Sequence, residues 1–298
     1  MASYEFEAKR APRHLLRRRS SSSSPANMSS AGSLASDLES MQLTPILLTE
    51  RSRTLARILM VLEADMLHDI SRAELVAFPR ARESIDSLYA CCPQLQRHIE
   101  HFNSMCRWFA RQIAEASMSP ISTCPQQGEL LAKMIRLGVK CVLLHNYSTA
   151  MQIILSLQAP AVAGNQALWQ TLPPWERQLA RDLLAFGSPS RNFKHVRKAL
   201  EEILGEREAV VPFVGLFLSD LVMNYERPEA CDEFDCGMDT TDKVPLVPFY
   251  KNHLAAKIVR LFCAFQRPQY RVTTLLTAHE RQLYSYFADV GRLDGEFM

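Results

Sequence analysis

From about Thr49 onward, apolar residues recur with a helical period. Leu55, Ile58, Leu59, Leu62 and Met66 are spaced i, i+3, i+4, i+7 and i+11, which places them on one face of a helix. Ile99, Phe102, Cys106, Phe109 and Ile113 repeat the stripe, as do Leu130, Met134, Leu137, Cys141 and Leu144. Further helices are predicted over 146–157, 175–186, 191–204, 212–226, 249–266 and 278–289. Pro120, Pro125, Pro160, Gly164, Pro173, Pro174, Gly187, Pro189, Gly205 and Pro228 punctuate them. No segment reads as a strand ladder or a βαβ alternation, and no period of roughly 20–50 residues recurs. The predicted fold class is all-α.

The helix predicted over 212–226 has an unusual projection. Pro212 suits its first turn, where a missing N–H costs nothing, and Pro228 stops it. Phe213, Leu216, Phe217 and Leu221 cluster on one side, the expected core face. Leu218, Val222 and Glu226 follow at i, i+4 and i+8 on the other, an apolar strip ending in a carboxylate. Two readings fit: a helix sandwiched between buried layers, or one that offers this strip to a partner.

Residues 1–45 follow a different pattern. Lys9, Arg10, Arg13, Arg17, Arg18 and Arg19 face only Glu5 and Glu7, serines fill 20–24, and few large apolar residues precede Ile46. Such a segment buries too little surface to offset its ordering entropy and is expected to be disordered. Arg17-Arg18-Arg19-Ser20 reads as a basophilic kinase site, with Ser20 the candidate phosphorylation site. The basic run would give weak contact with anionic lipid, which phosphorylation would reduce. The expected organisation is a tail over 1–45 and one domain over 46–298.

Net charge is +2, so nothing in the overall balance points to nucleic acid. The longest apolar run, Ala209 to Leu218, is interrupted by Pro212 and is far short of the roughly 20 residues that span a bilayer. The cysteines at 91, 92, 106, 124, 141, 231, 236 and 263 form no CxxC pair, and several sit on apolar stripes. A reduced, cytoplasmic setting is the expectation, with no metal.

The motifs of covalent and nucleotide chemistry are missing. GxxxxGK[ST], GxGxxG, GxSxG and HExxH are all absent, and Leu283 stands where a zincin beginning at His279-Glu280 needs its second His. The acidic stretch from Asp232 resembles a calcium loop at its Gly237, but Phe234, Cys236 and Lys243 occupy ligand positions. His145, His195 and His253 lack any nucleophile motif that would make a triad of them.

One series of blocks does match a family. Pro212-Phe213-Val214-Gly215-Leu216-Phe217-Leu218-Ser219-Asp220-Leu221 resembles the P-F-x-G-x-Y/F-L-T/S-D-L signature of Ras-type guanine-nucleotide exchange factor (RasGEF) catalytic domains. Leu55 to Leu75, His101-Phe102-Asn103 to Trp108, Leu144 to Ser148 with Trp169, Ser188 to Arg197, and Pro248 to Gln266 resemble other family blocks in the expected order. The resemblance spans Thr49 to Phe287. It implies an all-helical bowl with a protruding antiparallel hairpin, here 212–226 and 247–266 joined by the acidic loop.

By the same resemblance, the protein would promote GDP release from a Ras-subfamily small GTPase, preferring its nucleotide-free form. It would do so without covalent chemistry or a cofactor. Val222 and Glu226 would displace switch I near the magnesium and phosphate sites. Met151, Gln158, Asp182, Asn192, Phe193, Phe213 and Leu218 would contact the GTPase, most of them at switch II. The alternative is an interaction module of the same fold that binds a GTPase with little exchange. Recruitment from the cytoplasm to the inner face of the plasma membrane would use the basic tail.

Overall fold

A computed structural model describes residues 46–118, 124–204, 206, 208–227, 249–267 and 275–293. The basic tail with Ser20 and the acidic stretch 228–248 lie outside the described residues. The architecture is helical throughout, and a bridge between Asn146 and Val211 is the one β pairing among the described residues.

The chain opens with a short turn of helix, α1 (Ile46–Thr49), and the long α2 (Ser52–Asp69). The apolar stripe runs on past the end of α2, yet the helix stops at Ile70, and α3 (Arg72–Ala81) starts afresh. The reason is a capping box: the Ser71 hydroxyl accepts from the Glu74 N–H, and the Glu74 carboxylate accepts from the Ser71 N–H. Glu74 also accepts from the N–H groups of Gln94 and Leu95, so one buried carboxylate ties two helix starts together.

After α4 (Ile85–Cys91) come two central helices, α5 (Pro93–Met118) and α6 (Cys124–Leu143). Next is α7 (Tyr147–Leu157), apolar almost all round and correspondingly buried, which packs against both of them. Short α8 (Pro160–Ala163) and α9 (Gln166–Gln170) lead to α10 (Pro174–Phe186) and α11 (Ser190–Ile203). The chain then forms α12 (Val214–Tyr225), α13 (Phe249–Phe265) and α14 (Ala278–Leu293).

Helices α2, α5, α6 and α7 form the centre, α14 covers α2 and α5, and α3, α12 and α13 pack on one another at one side. Phe109, Phe262, Phe265 and Phe287 are wholly buried. Phe217 meets Phe262 and Phe265 with ring centroids 5.4 and 6.1 Å apart, while Asn224 donates to the Lys251 carbonyl (2.9 Å). The start of α12 therefore meets the end of α13 and its end meets the start of α13, an antiparallel pair. No described helix is long and apolar enough to cross a membrane.

Candidate functional site

The backbone fixes the entrance to α12. The Val211 N–H donates to the His145 carbonyl (2.9 Å) and the Tyr147 N–H to the Val211 carbonyl (2.8 Å), which pins this segment to the start of α7. Phe213 caps α12, and its ring folds back over Gly215. A Cβ on Gly215 would lie 2.5 Å from the ring, so glycine is what lets the ring close down here.

Phe213 stands 5.3 Å from Phe102 of α5 and 6.0 Å from Phe193, centroid to centroid. Phe102 and Phe213 lie at an open, mostly apolar cavity of about 240 Å³ walled also by His98, Ile99 and Leu218. His98 is 2% exposed, and its Nδ1 has no hydrogen-bond partner. Burial lowers the pKa of His98, favouring the neutral ring.

The turn that brings Phe193 against Phe213 departs from the predicted helix. Arg191, Asn192 and Phe193 have φ of 53°, 57° and 56°, a turn of left-handed backbone, and the right-handed helix starts only beyond them. For residues with a Cβ this costs about 1–2 kcal/mol each. Arg197 holds the turn: its Nε donates to the Asn192 carbonyl (2.8 Å) and its Nη2 to Asn192 Oδ1 (3.2 Å). Its guanidinium also makes two 2.8 Å bonds to the Asp220 carboxylate. One side chain thus fastens the strained turn to α12, with Phe193 resting on Phe213.

At the other end of α12, the Glu226 N–H donates to the Val222 carbonyl (2.9 Å), stacking the two residues one turn apart. Val222 is half-buried, and Glu226 is exposed and paired with Arg82 at the end of α3. Beside them Met223 is 58% exposed, large for a methionine with no visible partner.

The residues expected to contact a partner fall into three groups. Asn192, Phe193, Phe213 and Leu218 gather at the turn and its cavity. Gln158 caps α7 and Asp182 lies on α10, where it accepts from Gln178 (2.8 Å); both are on separate elements. Met151 is 1% exposed and packs beneath Gly187, so it supports the surface from below and does not belong to it.

Leu218 decides between the two readings of α12 at this point, in favour of the sandwiched helix. It is 8% exposed and buried at the cavity, because α5 comes close to this face. The last turn of the strip, from Val222 to Glu226, is the part that turns outward. Ile99 and Phe102 belong to the apolar stripe of α5, His98 stands outside every motif, and nothing in their spacing separates a core wall from a cavity wall.

The most buried charge lies elsewhere. Glu63 of α2 is 0% exposed and accepts from Ser148 (2.8 Å) and Gln152 (2.6 Å) of α7, with His101 Nε2 of α5 at 3.6 Å. Burial alone would raise its pKa. The neighbouring His101 ring, with the His98 ring and the Ser148 hydroxyl, outweighs that and holds it down at about 2. A larger cleft of about 690 Å³, between Arg53, Arg57, Leu143, Leu144 and Glu208, is lined by none of the residues expected to contact a partner.

Comparison with known proteins places these features in a family. The profile of the RasGEF domain matches residues 54–253. The Ras guanine nucleotide exchange factor W of Dictyostelium discoideum is 31% identical over 134 residues, 45% of this chain and 11% of that protein. The Ras-specific guanine nucleotide-releasing factor 2 of Mus musculus is 25% identical over 60% of this chain and 14% of its own length. The Rap guanine nucleotide exchange factor 5 of Homo sapiens is 24% identical over 76% of this chain and 35% of its own. The matched stretch is thus a minor part of each of these relatives.

Proposed function

The chain belongs to the RasGEF domain family, and on that premise we propose that it is a guanine-nucleotide exchange factor for a Ras-family small GTPase. The observation that carries this reading is α12. One end frames an apolar cavity beside a braced turn, and the other presents Val222 and Glu226 in sequence along the helix. A partner gripped at the cavity would feel the far end of the same helix.

In this reading the cavity and the 191–193 turn hold the GTPase through its switch II, and α12 with α13 is the hairpin that displaces switch I. Val222 blocks the magnesium site sterically, and the Glu226 carboxylate repels phosphate. No bond is made or broken, so the protein needs neither nucleophile nor cofactor. Nucleotide and exchange factor each weaken the other's hold on the GTPase, a reciprocal coupling. Each ~1.4 kcal/mol of that coupling speeds release up to roughly tenfold.

The domain begins near residue 46, with the basic tail as a dispensable extension that touches anionic lipid weakly and is modified at Ser20. The decisive measurement is release of a fluorescent guanine nucleotide from a panel of Ras, Rap and Ral-type GTPases. We expect acceleration on at least one member, and a tight complex with its empty form that GDP or GTP with magnesium dissolves. Equal affinity for empty and GTP-loaded GTPase, with no acceleration, would instead identify a binding module of the same fold.

A further inference from the structure

The position of Arg82 carries a role for a residue that no family block includes. Arg82 is the residue at which α3 ends, and its N–H is held by the carbonyls of Phe78 and Arg80. The helix behind it is fixed by the Ser71–Glu74 capping box and by packing on both α12 and α13. Its Nη2 bonds Glu226 Oε1, bridging 144 positions of sequence. The Glu226 backbone is held in the same way, by the Val222 carbonyl and the packing of α12, but its side chain reaches into solvent. Glu226 terminates α12 next to the stretch from 228, its side chain is 57% exposed, and a carboxylate at a helix C-terminus is repelled by the helix dipole.

An ion pair this exposed adds little to folding. What it does add is a defined location for a carboxylate at the end of a helix. We infer that Arg82 is a positioning residue: it holds the Glu226 carboxylate at the place from which it acts on the GTPase's phosphate and magnesium site. This rests on the reading of Glu226 given above. The proposal requires that Arg82 act only through Glu226, a requirement that no general structural role shares.

The test is nucleotide release from the panel GTPase that responds best to the wild-type protein, with four variants: Arg82→Ala, Arg82→Lys, Glu226→Ala and the Arg82→Ala, Glu226→Ala double. Arg82→Ala should lower the maximal release rate about fivefold, near the limit of what an exposed ion pair supports. The half-saturating concentration and melting temperature should stay unchanged. Arg82→Lys, which keeps the cation, should recover most of the rate. In the Glu226→Ala background, removing Arg82 should slow release no further. Wild-type release by Arg82→Ala while Glu226→Ala is slow would overturn the proposal, as would equal slowing in both backgrounds. Wild-type release by Glu226→Ala would instead remove the underlying role of Glu226, a distinct failure.

Discussion

The core around Glu63 and the end of α12 around Glu226 treat a carboxylate in opposite ways. Glu63 has lost all contact with water and is surrounded by donors on two other helices. Such a group is expensive to bury and more expensive to orphan, so its neighbours are fixed by it. Among the described residues Glu226 has one side-chain partner, Arg82, and it is exposed. The first arrangement locks α2, α5 and α7 together. The second leaves a charge that a docking protein can meet at small cost, which suits a working surface.

The sharpest way to break this contrast is to remove the buried charge. Glu63→Ala leaves the Ser148 hydroxyl and the Gln152 amide without their acceptor and the His101 ring without its neighbouring carboxylate. The expected loss is about 3–5 kcal/mol, measured by denaturant unfolding. A loss as small as that of an ordinary surface change would mean that the core does not depend on this carboxylate.

Acid should expose the same dependence. The Glu63 pKa is about 2 in the fold against 4.5 as its ordinary value, so its stabilisation is complete above 4.5 and fades as pH falls toward 2. The shift corresponds to on the order of 3 kcal/mol. Glu74 acts in the same direction, because its hydrogen bonds outweigh burial and lower its pKa. His98, kept neutral by burial, adds a loss that begins as pH falls below 6.5. Unfolding free energy should therefore decline steadily from neutral pH into acid, and Glu63→Gln should flatten the part of that decline below 4.5. An unchanged slope in that variant would place the titration elsewhere.

The contrast is sharpened at the cavity, midway between the two extremes. Gly215→Ala puts a methyl group against the Phe213 ring, which Phe102 and Phe193 flank. Overpacking of this kind costs about 1–3 kcal/mol. The displaced ring should also spoil the cavity, weakening complex formation with nucleotide-free GTPase while release at saturation changes less. Full affinity in the folded variant would separate the cavity from partner binding.

These expectations draw unevenly on the sequence. The helical period located α6, α7, α10 and α12–α14 to within a few residues, because one apolar face against a core repeats every three to four positions. The break at Ile70 was written in the Ser71-x-x-Glu74 capping signal, but the apolar stripe runs through it and masks it. The left-handed turn at 191–193 runs against the preference of Arg and Phe, and it is held by Arg197 and Asp220, which lie outside the turn. A projection gives the angle of Leu218 but not the number of layers packed around its helix, so the cavity was invisible. The Arg82–Glu226 pair joins positions with no local relation at all.

The smallest expected effect on stability belongs to Glu226 itself. Glu226→Ala removes an exposed side chain whose one partner, Arg82, returns to water, so the change should stay within ~0.5 kcal/mol. Relief from the helix dipole could even offset the lost pair. Activity should respond differently: release should slow, because the charge facing phosphate is gone while the grip at the cavity remains. Val222→Asp should slow it further, since a half-buried apolar wedge is then replaced by a charge. That variant should also lose some stability, as Val222 is packed against the core. Melting curves and release rates measured together decide the matter. A folded Glu226→Ala, Val222→Asp protein with wild-type release would move the working surface away from the end of α12. Slow release from a protein that melts nearly as the wild type does would locate exchange in the part of the molecule that stability does not need.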